Sequence, residues 1–198
     1  MKGCISVING GSSSIKFSLF DNVEADELRL IFTGQVDGIG VAPQFKAKNA
    51  QKDIIEERTW PNQPDVNHES LMIHIIKWIR AQRQHLGLEL FGVGHRVVHG
   101  GDEYSLPVKV DETVLKNLEK YIPLAPLHQP HNLNPIRTVA QLGADIPQVA
   151  CFDTAFHAAN PPEATHFALP RELTCEGVRR YGFHGLSYEY IARKLPEL

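Results

Sequence analysis

Apolar and polar residues alternate from the first residues of the chain. Ile5 to Asn9 reads as a strand, and Ile15, Phe17 and Leu19 mark a second over Ile15 to Phe20. Between them stands Gly10-Gly11-Ser12-Ser13-Ser14, whose residue types favour a tight turn. A third strand is predicted from Leu28 to Val36, ending at Asp37-Gly38-Ile39-Gly40, with shorter extended pieces at Gln44 to Lys48 and Asp53 to Thr59. Pro61 and Pro64 mark a loop. From Asn67 the period changes: Asn67 caps a helix carrying Leu71, Ile75, Ile76 and Ile79 until Gly87 stops it. Leu90 to Val98 returns to a strand. Asp111 caps a helix with Val114, Leu115 and Leu118 that ends before Pro123, and Pro123 to Pro130 is not helical throughout. A further helix runs from about His131 to Leu142, a strand from Gln148 to Phe152 ends at Asp153, and Leu186 to Leu195 is helical. A strand meander followed by helix-strand alternation predicts an α/β fold with a mixed sheet and helices on its faces.

The 198 residues suffice for one sizeable core, so a single α/β domain over residues 1–198 is expected. A formal charge of −3 gives no electrostatic reason to expect nucleic acid or an anionic membrane as partner. Cys4, Cys151 and Cys175 have no metal-binding spacing and read as free thiols of a cytoplasmic protein. The first apolar stretch is too short for a signal peptide. The stretch Leu71 to Ile79 is broken by His74 and Lys77, so no membrane span is expected.

Five segments carry candidate chemistry. Asn9-Gly10-Gly11-Ser12-Ser13-Ser14-Ile15-Lys16 offers backbone N–H groups, hydroxyls and a cation to a phosphate, although it lacks P-loop spacing and also suits a plain hairpin turn. In Gly94-His95-Arg96-Val97-Val98-His99-Gly100-Gly101-Asp102, Arg96 is placed to clamp an anion as it leaves the sheet edge, or is a surface arginine on a turn. His95 and His99 share a strand face too far apart to hold one small ion. Prolines stiffen Pro123-Leu124-Ala125-Pro126-Leu127-His128-Gln129-Pro130-His131-Asn132 and set His128 beside Leu127, where it is a ligand or a helix cap. In Phe152-Asp153-Thr154-Ala155-Phe156-His157, the aspartate follows an apolar strand, a position suited to a magnesium nucleotide or to a cap. Arg179-Arg180-Tyr181-Gly182-Phe183-His184-Gly185-Leu186-Ser187 sets His184 between glycines and aromatic residues.

In this order the five segments closely resemble the acetate kinase family over nearly the whole chain. The resemblance implies a ribonuclease H-like, actin-like ATPase domain of the sugar kinase and actin superfold. It implies reversible, magnesium- or manganese-dependent transfer of the ATP γ-phosphate to acetate, giving acetyl phosphate and ADP. Asn9, Ser12, Ser14 and Lys16 would surround the transferring phosphate, Asn9 as a metal ligand as well. Arg96 would bind the carboxylate, while Val98, Leu127 and Phe183 would receive the methyl group. His128 and His184 would hydrogen-bond phosphoryl oxygens, and Asp153 would position magnesium directly or through water. Gly10 stands where many members carry another small residue, which a tight turn should accept. Members also have a second domain of similar size, which would hold most of the adenosine pocket and the homodimer contact. The isolated chain is therefore expected to be poorly active or inactive.

Other readings are weaker. Propionate and butyrate kinases share these parts, and a non-catalytic phosphate-binding module would share the fold. An esterase would need GxSxG, but Glu189 stands at the second glycine position. A zinc protein would need HExxH or paired CxxC among its ten histidines and three cysteines, and neither is present.

Overall fold

The computed structural model describes residues 2–24, 27–61, 63, 65–143 and 145–197. Met1, Leu198 and Pro64 of the expected loop lie outside them. Five strands form an antiparallel run: β1 (Lys2–Gly10), β2 (Ser14–Glu24), β3 (Glu27–Asp37), β4 (Gln44–Asn49) and β5 (Ile54–Thr59). On the other side of β1 the chain adds β6 (Leu88–Val97) and β8 (Gln148–Phe152) in parallel, and β7 (Val108–Lys109) pairs antiparallel with β8. The strand order is β5-β4-β3-β2-β1-β6-β8-β7. Arg96 therefore sits on an inner strand, one residue before its carboxyl end.

Six helices are described: α1 (His68–His85), α2 (Glu112–Glu119), α3 (Gln129–Leu142), and the shorter α4 (Pro162–Thr165), α5 (Arg171–Cys175) and α6 (Gly185–Lys194). Asn67 caps α1 by accepting from the Ser70 N–H, and Asp111 caps α2 by accepting from the Val114 N–H, as their positions predict. The third helix starts two residues earlier than expected. Pro130 falls in its first turn, where a missing N–H costs nothing. Pro135 falls in its interior and leaves the His131 carbonyl without its helical donor.

Two packed clusters hold the sheet. In the first, α1 buries Leu71, Met72, Ile75, Trp78 and Ile79 against the meander. Phe17 stacks on Phe45 at 5.9 Å between centroids, and Phe32 meets Trp78 edge-on at 4.8 Å. The second joins Val97, Ala150 and Phe152 of the parallel strands to Leu118 of α2 and to Leu133 and Ile136 of α3. α3 also lends Val139 to the first cluster, so it bridges both and fixes the parallel strand ends against the first hairpin.

Candidate active site

β1, β6 and β8 are parallel, and ligands of α/β sheets gather at the carboxyl ends of such strands. Here those ends bring Asn9, Arg96 and Asp153 together. Arg96 Nε donates to both Asp153 carboxylate oxygens at 3.0 and 3.1 Å, and Nη2 donates to Oδ2 at 2.5 Å. Nη1 donates to Asn9 Oδ1 at 3.4 Å. Asp153 is 1% exposed, whereas the Arg96 side chain keeps 35% of its surface open. The carboxylate thus fixes one edge of the guanidinium and leaves the other toward solvent. Its hydrogen bonds hold the Arg96 pKa above the ordinary arginine value, so the cation is permanent.

This pair bears on the magnesium expected at Asp153 and Asn9. Magnesium prefers an octahedron of oxygens, usually one or two carboxylates with water and phosphate. Both Asp153 oxygens face a cation, the Asn9 carbonyl oxygen accepts from the same arginine, and no group of three histidine, cysteine or carboxylate side chains that could hold a metal occurs among the described residues. These residues do not form a magnesium site by themselves. Their arrangement orients Arg96. His95 and His99 are engaged by other partners. The buried His95 bonds Gln148 Oε1 at 2.8 Å, while His99 stacks on Tyr121 and accepts the Gly101 N–H on Nδ1 at 2.9 Å.

In front of Arg96 opens a cavity of about 600 Å³. Its walls include Asn9, Gly10, Gly11, Arg96, Val98 and Leu127, with His128, Phe183 and His184. Leu127 is 72% exposed and Phe183 39% exposed, so the apolar wall is open to whatever enters. His128 precedes α3 without a side-chain capping bond, which removes the capping reading and leaves its ring free for the cavity. His184 precedes α6 in the left-handed region at φ 57°, uncommon for a residue with a Cβ and typical of positions held by their surroundings. Two contacts hold it. The Gly185 N–H donates to the Asp153 carbonyl at 2.8 Å, and a Cβ on Gly185 would lie 2.3 Å from that oxygen. The segment carrying Phe183 is steadied by the His99 ring, 4.5 Å from Tyr181 and 5.8 Å from Phe183.

The first hairpin borders the same cavity. The Gly11 N–H donates to the Ser14 carbonyl at 2.7 Å, and the Gly11 carbonyl accepts from His68 Nε2 of α1 at 3.0 Å. Burial pushes the His68 pKa down, so the ring stays neutral with its proton on Nε2. Gly10 is more than tolerated. A Cβ there would lie 2.5 Å from the His131 carbonyl oxygen and 2.8 Å from Pro135 Cγ, so α3 packs directly on the glycine backbone.

Not every expected residue reaches the cavity wall. Ser12 is exposed at the hairpin tip and Ser14 opens β2. Lys16, cross-strand partner of Asn9, lines a separate shallow groove with Lys46 and Lys48. Sequence reasoning missed Leu124, Ala125, Pro126 and Asn132 as cavity residues, although all lie within the proline-rich segment it singled out. Their only signal was membership of that segment.

A mixed sheet begun by a meander, with a fixed arginine at its parallel strand ends, has the architecture of an actin-like ATPase domain. More narrowly, the chain belongs to the acetokinase family, whose model matches residues 4–198. It is 45% identical over 194 residues to an acetate kinase of Nitrobacter hamburgensis, covering 98% of this chain and 47% of that protein. It is 48% identical over 192 residues to an acetate kinase of Rhizobium meliloti, covering 97% of this chain and 48% of that protein. Among solved structures, a propionate kinase of Francisella tularensis superposes with a TM-score of 0.82 at 31% identity, over 97% of this chain and 48% of that one. The Porphyromonas gingivalis acetate kinase gives 0.78 at 31% identity, over 98% of this chain and 48% of that one. The chain thus spans about half the length of the relatives it matches.

Proposed function

We propose that this chain is the N-terminal half of an acetate kinase, which moves the γ-phosphate of ATP to acetate and returns it from acetyl phosphate to ADP. The observation that carries the reading is Arg96, fixed by a buried carboxylate at the mouth of a cavity with apolar walls and two free imidazoles. A short carboxylate matches that combination. Its charge meets the open edge of the guanidinium, and its alkyl end meets Val98, Leu127 and Phe183.

The carboxylate is itself the nucleophile, so no strong general base is needed. One of its oxygens forms the new O–P bond as the bond to the departing ADP oxygen breaks, and charge accumulates on the three equatorial oxygens. Arg96, His128 and His184 supply donors at those oxygens without moving, the kind of fixed stabilisation that lowers such a barrier most. The hairpin from Asn9 through Ser12 and Ser14 to Lys16 offers backbone and side-chain donors along the phosphate chain. Asp153 acts by holding Arg96 rather than by binding metal. Magnesium or manganese would arrive on the nucleotide, held by phosphate oxygens and water.

A second half of similar size would bring the adenosine pocket and the contact between the two copies of a homodimer. The three cysteines, free among the described residues, agree with a cytoplasmic setting. No helix among the described residues is long and apolar enough to cross a membrane. Acetate is preferred over propionate or butyrate because the relatives named above at 45 and 48% identity are acetate kinases. One methylene changes kcat/KM by about 1–3 kcal/mol, so the preference is one of degree.

Trapping acyl phosphate with hydroxylamine tests the proposal. The 198-residue chain alone should give little acyl hydroxamate, and the chain joined to its second half should give abundant product from ATP and acetate. Vigorous turnover by the chain alone would overturn its description as a half. No product from the joined protein with acetate, propionate or butyrate would overturn the kinase reading.

A further inference from the structure

The parallel ladder between β1 and β6 ends at the pair Ile8 and His95, just before both strands reach the cavity. Beyond that pair the two chains run on as Asn9-Gly10 and Arg96-Val97-Val98. One side chain spans the gap. Asn132, in the first turn of α3 and 6% exposed, donates from Nδ2 to the Gly10 carbonyl at 2.5 Å and accepts the Val98 N–H on Oδ1 at 2.8 Å. Its amide thus stands in for the next rung of the sheet, at the point where the first hairpin and the apolar wall separate. The bracket is reinforced on both sides. The Gln129 side chain accepts the His99 N–H at 3.1 Å and donates to the His99 carbonyl at 3.0 Å, and the missing Cβ of Gly10 lets α3 close on the hairpin.

We propose that Asn132 is a positioning residue for phosphoryl transfer, holding the Gly10 hairpin and the Val98 wall at the separation that in-line attack requires. The inference rests on the kinase reading above. If the hairpin holds the phosphate and Val98 borders the carboxylate, the distance between donor and acceptor is set by whatever ties Gly10 to Val98. A displacement near 1 Å can cost on the order of 10²-fold in rate, without a comparable loss of binding.

The test uses the complete enzyme carrying Asn132→Asp, which keeps the shape and the acceptor for Val98 but at neutral pH loses the donor to Gly10. The expected result is a fall in kcat on the order of 10²-fold, with KM for acetate and for ATP little changed. The ratio of variant to unsubstituted kcat should climb as pH falls through the carboxylate range, because protonating the introduced carboxyl restores a donor. Asn132→Ser should lose kcat likewise with no such recovery, and it serves as the test if the aspartate variant does not fold. Thr138→Val, on the same helix with a hydroxyl bonded, among the described residues, to the Asn134 carbonyl at 3.0 Å, should keep kcat and control for loss of helix stability. Wild-type kcat in the folded Asn132 variants, or a loss confined to KM, would overturn the proposal. A kcat loss shared by Thr138→Val would do the same. An unsubstituted enzyme that makes no acyl phosphate would instead overturn the kinase reading on which it stands.

Discussion

Histidine is the residue type this protein uses in the most different ways, and burial decides between them. His128 and His184 are exposed beside the cavity, whereas His95 is 2% exposed on β6, with Gln148 as its side-chain partner among the described residues. Burial pushes the His95 pKa down to about 4, against the upward pull of that hydrogen bond. The unfolded chain, with an ordinary value of 6.5, therefore takes up a proton before the folded one does. The stability His95 contributes is whole above about pH 6.5 and drains as pH falls from there to about 4, by on the order of 3 kcal/mol. Burial lowers His68, His74 and His99 as well, and they add to the same slope. Urea unfolding across that pH range should show stability falling with acid, and His95→Gln should flatten the slope even if it lowers the stability at pH 7. An unchanged slope in the variant would show that His95 takes up its proton equally in both states. The Arg96–Asp153 pair follows the same logic with the opposite outcome. There burial is tolerated because each charge supplies the other's hydrogen bonds, which raises the Arg96 pKa further above its ordinary value.

At the scale of elements, the docking of α3 on the first hairpin does most to shape the cavity. It depends on Pro135 freeing the His131 carbonyl and on Gly10 presenting no Cβ to it. Gly10→Ala would place a methyl 2.5 Å from that backbone oxygen, which cannot swing aside as a side chain can. The expected cost is about 1–3 kcal/mol, with faster amide exchange along the hairpin, and an alanine variant as stable as the parent would show that α3 is free to shift. None of this contact could be read from the sequence, where Gly10 is one turn glycine among several. The strands were legible because a half-buried strand alternates: Ile15, Phe17 and Leu19 announce β2 directly. The start of α3 was misplaced because Pro130 reads as a breaker, although a first turn accepts it. The two-residue β7 is too short to carry any period, and strand order is not written in periodicity at all. Likewise Arg96 and Asp153 were each visible as candidates, but their pairing across 57 residues was not. Asn132 and Gln129 escaped for a related reason. A buried amide on a helix shows its partners only once the strands beside it are in place.

The whole molecule has two apolar clusters, and whether they melt together determines how the site behaves under stress. Both tryptophans, Trp60 and Trp78, belong to the meander cluster, while the cavity's supports Val97, Phe152 and Leu133 belong to the other. A two-cluster domain can lose one half first, and near this size intermediates become common. Two features oppose that here. The sheet runs unbroken from β5 to β7 through the shared strands β1 and β6, and α3 places Leu133 and Ile136 in one cluster and Val139 in the other. Destabilising the second cluster should therefore be felt in the first. Leu118 is fully buried in α2, remote from both tryptophans in sequence and in cluster, and Leu118→Ala should cost about 2–5 kcal/mol. If the clusters unfold as one, the urea midpoint followed by tryptophan fluorescence falls as far as that followed by far-ultraviolet circular dichroism. If they unfold separately, the tryptophan midpoint stays where it was while the circular dichroism transition splits. The first outcome means the cavity persists for as long as the meander does. The second means the Arg96 side of the site can open while the hairpin that faces it remains folded.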